Sequence, residues 1–335
     1  MKNALFKPLV SILTSCYNGS KFIDQYFECL LSQTYRPLEC IIVNDGSEDN
    51  SRQLLDNFAE EANKRGIHTT IIHQNNTGNA QAISNAYSIS TGDLITCWDI
   101  DDIFFPENIS TLVETLKCSP SCSSALANGH YVNGFDTDHI LSSFSDSHPK
   151  YKGKDLFEHI LVGTAWNWPG SYMVKSSILE ATYGARRIPV PRLWKNSQNL
   201  QLLLPASYGG TAYSNNTIMK YVVRNDSISH ENSTYENDLQ RLNTYEDIRY
   251  QILEIMNLTS PKLNRNIRLA FERIKMHTAY RYGVRNDFLV YYNFLSSEKA
   301  LTIEDYLLKI DICGENKLKK FIYKVVYKIH TLLYS

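Results

Sequence analysis

The chain has 335 residues, of which 43% are hydrophobic and 21% charged, with a formal net charge of −1. That is the composition of an ordinary globular protein of one large domain or two smaller ones, and its near-neutral balance argues against a nucleic-acid binder. Seven scattered cysteines without a CxxC pair suggest neither a disulfide framework nor a zinc site. Cys16, Cys40 and Cys97 fall in apolar strand-like runs, so reduced buried thiols and a reducing compartment are expected. The first seven residues lead into a strand without an apolar core of signal-peptide length, and no segment approaches the roughly 18 apolar residues of a membrane span. A cytoplasmic location follows as the expectation.

In chain order, Val10 to Leu13 reads as a first strand, and Phe22, Ile23, Tyr26, Phe27, Leu30 and Leu31 repeat at helical spacing. A second strand ends at Asn44-Asp45. Gly46-Ser47-Glu48-Asp49 then makes a turn with N-cap chemistry before a helix through Leu54, Leu55, Phe58 and Ala62. Thr69 to His73 is a third strand, Asn76-Thr77-Gly78 a turn, Ala80 to Tyr87 a helix, and a fourth strand runs from Leu94 into Asp99. Such alternation implies an α/β fold with a mostly parallel sheet and right-handed crossovers. Beyond Ile103 the pattern loosens. The Ser, Asp and His residues of Ser142 to His148 read as a mobile surface loop. Trp166 and Trp168, two residues apart, face one side of a strand and suit a core or an acceptor platform equally. From about Tyr235 the pattern is amphipathic helix, broken at Pro261. The expected domains are 1–232, divided into a nucleotide-binding half 8–105 and an acceptor half 106–232, and a helical region 233–335.

Two acidic clusters carry the chemistry. Asp45 closes the second strand, and Asp99, Asp101 and Asp102 follow the fourth. Acidic side chains at the carboxyl ends of parallel strands border the crevice where open α/β sheets bind ligands. Carboxylates there hold a hard divalent cation through oxygen, and such a cation attracts phosphate. A solvated turn or helix cap is the plainer reading of each cluster alone. Their shared position after buried strands favours a nucleotide-diphosphate site.

The run from Pro8 to Asn18, Gln33-Thr34-Tyr35 before Leu38 to Ser47, and Gly78, Asn85, Ala86 and Gly92-Asp93 leading to Asp99-Ile100-Asp101-Asp102 together resemble family 2 glycosyltransferases of the A-type fold. The resemblance implies that Thr14, Ser15 and Tyr17 line the base and that Asp45 accepts a hydrogen bond from it, most simply from uracil. It places Asn85 in the same donor set and Asp99 near the ribose. Asp101 is implied as the ligand of Mn or Mg, and Arg224 or His230 as reaching phosphate. It further implies a nucleotide-sugar donor, UDP-linked as the first expectation, and a glycan or lipid-linked glycan acceptor in surface-polysaccharide synthesis.

One position departs from the family pattern. Asn199, preceded by Gln198, stands where the family carries the Asp of its Glu-Asp motif. An amide takes no proton in the required range but orients a hydroxyl. Asp226, His230 and Glu231 are the nearest ionisable residues. A non-catalytic nucleotide-sugar-binding subunit is therefore the alternative. A nucleotidyltransferase or a dinucleotide oxidoreductase ranks lower, because one glycine, Gly19, occupies the loop after the first strand. Lys317, Lys320, Lys324 and Lys328 share one face of a C-terminal helical pattern, opposite Leu318, Ile322, Val325, Ile329 and Leu332. Residues 317–333 thus fit contact with an anionic membrane surface, with a terminal helix packed on its own domain as the alternative.

Overall fold

The computed structural model describes residues 7–148, 155–189, 198–224 and 234–314. Contacts divide the chain into one unit of residues 1–231 and 248–258 and a second of residues 232–247 and 259–335.

The first unit begins with the expected alternation: β1 (Val10–Cys16), a 3-10 turn (Ser20–Phe22), α1 (Ile23–Ser32), β2 (Leu38–Asp45), α2 (Ser51–Lys64), β3 (His68–Gln74), α3 (Asn79–Ile89) and β4 (Leu94–Cys97). These four strands pair in parallel in the order β3-β2-β1-β4. All eight residues of β2 are buried, as in a strand covered on both faces by helices. Chain order continues with β5 (Ile103–Phe104), α4 (Asn108–Cys118), β6 (Ser124–Asn133), β7 (Ile140–Ser143), α5 (Phe144–Ser147), α6 (Leu156–Leu161), β8 (Tyr172–Lys175), α7 (Ser176–Tyr183), α8 (Gln198–Tyr208) and β9 (Thr211–Val223). The sheet extends as β4-β8-β6-β9-β5, with β7 on β6. β8 runs antiparallel to β4 and β6, whereas β6 and β9 are parallel.

Polar side chains tie neighbouring elements of the sheet together. The Glu39 carboxylate accepts from Ser11 Oγ at 2.5 Å, Thr91 N at 2.6 Å and Gly92 N at 3.0 Å, gathering the starts of β1, β2 and β4. Gly92 has no room for a side chain, since a Cβ there would lie 2.3 Å from Ser11 Oγ. Gln33 donates to the Phe105 carbonyl and accepts from Ile109 N, and Asn108 Nδ2 donates to the Gly170 and Ile218 carbonyls. These bonds fix the chain on leaving the acidic triplet.

Two expectations change. Ser142–His148 is not a bare surface loop: it completes β7 and α5, and Phe144 is fully buried among aromatic rings. Trp166 and Trp168 precede β8 in irregular backbone, so strand periodicity does not set their sides. Trp166 is fully buried, with Nε1 on the Ala127 carbonyl at 3.4 Å, and Trp168 is half-buried.

The remaining helices are α9 (Tyr235–Ile255), α10 (Pro261–Arg281), α11 (Arg285–Ser297) and α12 (Ile303–Ile312). Pro261 stands in the first turn of α10, where its missing N–H costs nothing, and Ser260 caps that helix. Met276, Ala279, Phe288, Tyr292 and Leu295 form the second unit's own core. Asp305, fully buried, closes a capping box with Thr302 and pairs with Arg273 and His277. Among the described residues no helix is long and apolar enough to cross a membrane. Residues 317–333 lie outside the described residues.

Candidate functional site

The carboxyl ends of β1, β2 and β3 lie side by side, with Cys16 opposite Asn44 and Asp45 opposite Gln74. The loop after β1 is laced to the loop after β2. Asn18 N donates to Ser47 Oγ and Gly19 N to Ser51 Oγ, both at 2.9 Å, and Ser20 N to Asp49 Oδ2 at 3.0 Å. Burial raises the Asp49 carboxyl, but the bonds from Ser51 and Ser20 outweigh it and hold it at about 2. Asn18 adopts the left-handed conformation (φ 51°), which Asn tolerates well. Tyr17 leaves the strand end 43% exposed, with its ring open to stacking.

Asp45 is buried and acts as a hub. Its Oδ1 accepts from Gln74 Nε2 and Thr77 N at 2.8 Å and from Thr77 Oγ1 at 3.3 Å, and its Oδ2 accepts from Gly78 N at 2.8 Å. Asn85 donates to Gln74 Oε1 at 2.6 Å and accepts from Gln81 Nε2, so Asn85 reaches Asp45 through Gln74. Gly46 has φ 76°, and a Cβ there would lie 2.6 Å from Asn76 N. The tight backbone approach after Asp45 therefore requires glycine.

The second cluster follows β4. Ligand atoms of Asp99, Asp101 and Asp102 lie within 4.8 Å of one another. Asp102 is 2% exposed; its Oδ1 accepts from Val222 N at 2.9 Å, and its Oδ2 is buried without a hydrogen-bond partner. Burial raises the Asp99 carboxyl to about 6 against the pull of Arg224, and burial with the neighbouring Asp99 drives Asp102 well above the usual range. Three crowded carboxylates with an orphaned buried oxygen fit the oxygen donor set that a divalent cation such as Mn or Mg takes. Arg224, just past β9, pairs with the Asp101 carboxylate and donates to its carbonyl at 3.2 Å. Its guanidinium lies over the Phe22 ring at 4.2 Å. Gly134 makes room for the arginine stem, since a Cβ there would meet Arg224 Cγ at 2.6 Å.

Residues 11–173 match the family model described as Glycosyl transferase family 2. These residues, just under half of the chain, are similar to a family 2 glycosyltransferase domain. The chain is 34% identical over 131 residues to glycosyltransferase GlyG of Streptococcus pneumoniae, covering 39% of this chain and 41% of that one. It is 29% identical over 177 residues to the putative glycosyltransferase EpsH of Bacillus subtilis, covering 52% and 49%. The chain spans about half the length of the curated relatives it matches. Among solved structures, Staphylococcus aureus TarS 1–349 in complex with UDP-GlcNAc superposes with TM-score 0.59 at 14% identity, over 91% of this chain and 79% of that one. Mannosyltransferase PcManGT of Pyrobaculum calidifontis, in complex with GDP-Man and Mn2+, gives 0.50 at 14% identity over 97% and 88%. These likenesses establish the A-type glycosyltransferase fold.

Within the first unit the sequence-derived residues separate into groups. Asp99 and Asp101 meet with Arg224 in one cluster, and Asp45 and Asn85 share a second. Ser15 is half-buried at the end of β1. Thr14 differs from expectation: its hydroxyl is fully buried against Tyr26 OH at 2.6 Å, so its side chain packs the core and does not line a base. Asn199 falls in the first turn of α8, but its side chain, like Asp226 and His230, lies outside the described residues. Sequence reasoning missed Gln74, Phe22 and Gly134. Gln74 ends a strand as Asp45 does, which is a usable signal; Phe22 and Gly134 act through distant pairing and leave none.

Proposed function

We propose that the chain is a metal-dependent glycosyltransferase that moves a sugar from a UDP-linked donor to a glycan or lipid-linked glycan in surface-polysaccharide synthesis, with inversion at the anomeric carbon. The observation that carries this reading is the Asp99–Asp101–Asp102 cluster with the orphaned Asp102 oxygen, on the same sheet edge as Asp45. The family 2 domain and its GlyG and EpsH relatives support transfer of a sugar. TarS with UDP-GlcNAc and PcManGT with GDP-Man and Mn2+ support a nucleotide-sugar donor and a divalent cation.

In this reading Tyr17 stacks on the base, and Asp45 Oδ2, with one protein donor, accepts from the base imide. Asp99 meets the ribose. Asp101 and Asp102 hold Mn or Mg. A bound cation offsets charge on the departing nucleoside diphosphate. Arg224 adds a fork of N–H donors to the phosphates once it turns from Asp101. Asn199 orients the acceptor hydroxyl, and Asp226, His230 or Glu231 takes its proton. Residues 317–333 bring the protein to the inner face of the membrane; flotation with anionic vesicles, lost on truncation at residue 316, tests that contact.

The test of the activity is nucleotide release from a panel of UDP-sugars with Mn. Turnover with one donor that stops with chelator is expected. Absence of both transfer and slow donor hydrolysis sinks the enzyme reading, and UDP binding without turnover in the presence of acceptor leaves the binding-subunit reading. A gain of hydrolysis in Asn199→Asp places that residue at the reacting centre.

A further inference from the structure

A graded aromatic cluster is joined to the acidic triplet through β9, where Tyr221 precedes the Val222 N–H that Asp102 accepts. Tyr131 of β6 and Tyr221 of β9 are paired in register, with ring centroids 5.7 Å apart. Trp168 stacks on Tyr221 at 5.2 Å and 30°, and its Nε1 donates to Tyr131 OH at 2.7 Å. Beneath them Phe144 is fully buried, 5.0 Å from Tyr131, in space that Gly129 leaves open, since a Cβ there would lie 2.4 Å from the Phe144 ring. Trp166 is fully buried too, whereas Tyr131, Trp168 and Tyr221 are all half-buried. Here the indole N–H, the group that would otherwise call for water, is satisfied internally.

The location is set by β9. Tyr221 is followed by Val222, whose N–H holds Asp102, and then two residues on by Arg224, which pairs with Asp101. The rings and the cation-binding carboxylates are therefore anchored on one stretch of four residues. His148 closes the ring group, with Nε2 3.4 Å from Tyr131 OH. Burial pushes its imidazole below the usual value, offset in part by a bond to the Thr164 backbone, so it faces the rings as a neutral hydrogen-bonding group at pH 7.

We propose that Trp168 and Tyr221, braced by Tyr131, form the platform on which the acceptor's terminal pyranose ring stacks. This inference rests on the donor reading above. An aromatic face is electronegative and attracts the polarised C–H face of a pyranose, while the sugar hydroxyls stay at the ring edges. The platform orients that sugar toward the donor phosphates at Asp101, and it selects for a ring over a flexible or charged acceptor.

The test is saturation-transfer NMR on the full chain with UDP and Mn present, using methyl glycosides of glucose, galactose and N-acetylglucosamine as probes. Wild type is expected to transfer saturation to the ring C–H protons of at least one glycoside. Trp168→Leu and Tyr221→Leu should weaken that glycoside by about tenfold, while Tyr221→Phe, which keeps the ring, stays within about twofold. UDP titrations on the same samples show whether each variant is folded, and Tyr221→Leu decides if Trp168→Leu is not. Silence of every glycoside on UDP-loaded wild type overturns the platform, as does wild-type affinity in the leucine variants. Failure of wild type to bind UDP strikes the donor reading itself, which separates the two.

Discussion

Asp101 and Arg224 compete for one another's partners. The proposed function makes the Asp101 carboxylate a cation ligand, yet it pairs with the Arg224 guanidinium, a group suited to phosphate. Replacing Arg224 therefore has effects of opposite sign. Arg224→Ala should raise the affinity of the nucleotide-free protein for Mn several-fold, read by electron paramagnetic resonance of free Mn. It should lower UDP affinity about tenfold, the worth of a charge-assisted hydrogen bond. Equal changes in both would show that Arg224 only braces the fold. The acidic clusters were legible in sequence because both follow buried strands of one parallel sheet, a shared position that a turn or a cap alone does not require. The resemblance put Thr14 at the base, and nothing in the sequence reveals that Tyr26 of α1 claims its hydroxyl. The Arg224–Asp101 pair was hidden because it joins residues 123 apart.

The elements from β1 to β4 follow their sequence pattern closely, because local periodicity and turn chemistry agree there. Asp45 ties β2, β3 and the start of α3 into one corner through four donor contacts. Asp45→Asn puts an amide that must itself donate into a ring of donors. It should cost about 1–3 kcal/mol in urea unfolding as well as weaken UDP binding. Glu39→Gln, at the opposite ends of the strands, should lower stability by a similar amount while UDP affinity per folded molecule is kept. Loss of UDP affinity in Glu39→Gln would mean that the two ends of the sheet are not independent. The segment Ser142–His148 was misread because six polar or small residues mask one buried phenylalanine, Phe144, whose partners lie on β6 and before β8.

For the whole molecule, the sheet order β4-β8-β6-β9-β5 was not legible, since antiparallel pairing of β4 with β8 joins segments some eighty residues apart that carry no turn between them. The family resemblance supplied the fold where periodicity could not. The second unit has its own core and its own charge network, and Asp305 is the keystone of that network. Burial raises the Asp305 carboxyl, but His277, Thr302 and Arg273 prevail and hold it below its usual value. A depressed carboxylate gives stability that is complete above the unfolded-state value near 3.9 and fades as pH falls through the folded value. The melting-temperature gap between wild type and Asp305→Asn should accordingly be widest at neutral pH and narrow on acidification below about 4. A gap independent of pH would assign Asp305 to packing alone. The central claim, a metal-dependent nucleotide-sugar site on the sheet edge, is tested most directly by calorimetric titration of UDP into the full chain with Mn, with chelator, and with Mn in Asp101→Asn. Binding with Mn that is lost in the other two is the predicted result; no binding of UDP, GDP or dTDP under any of these conditions would contradict it.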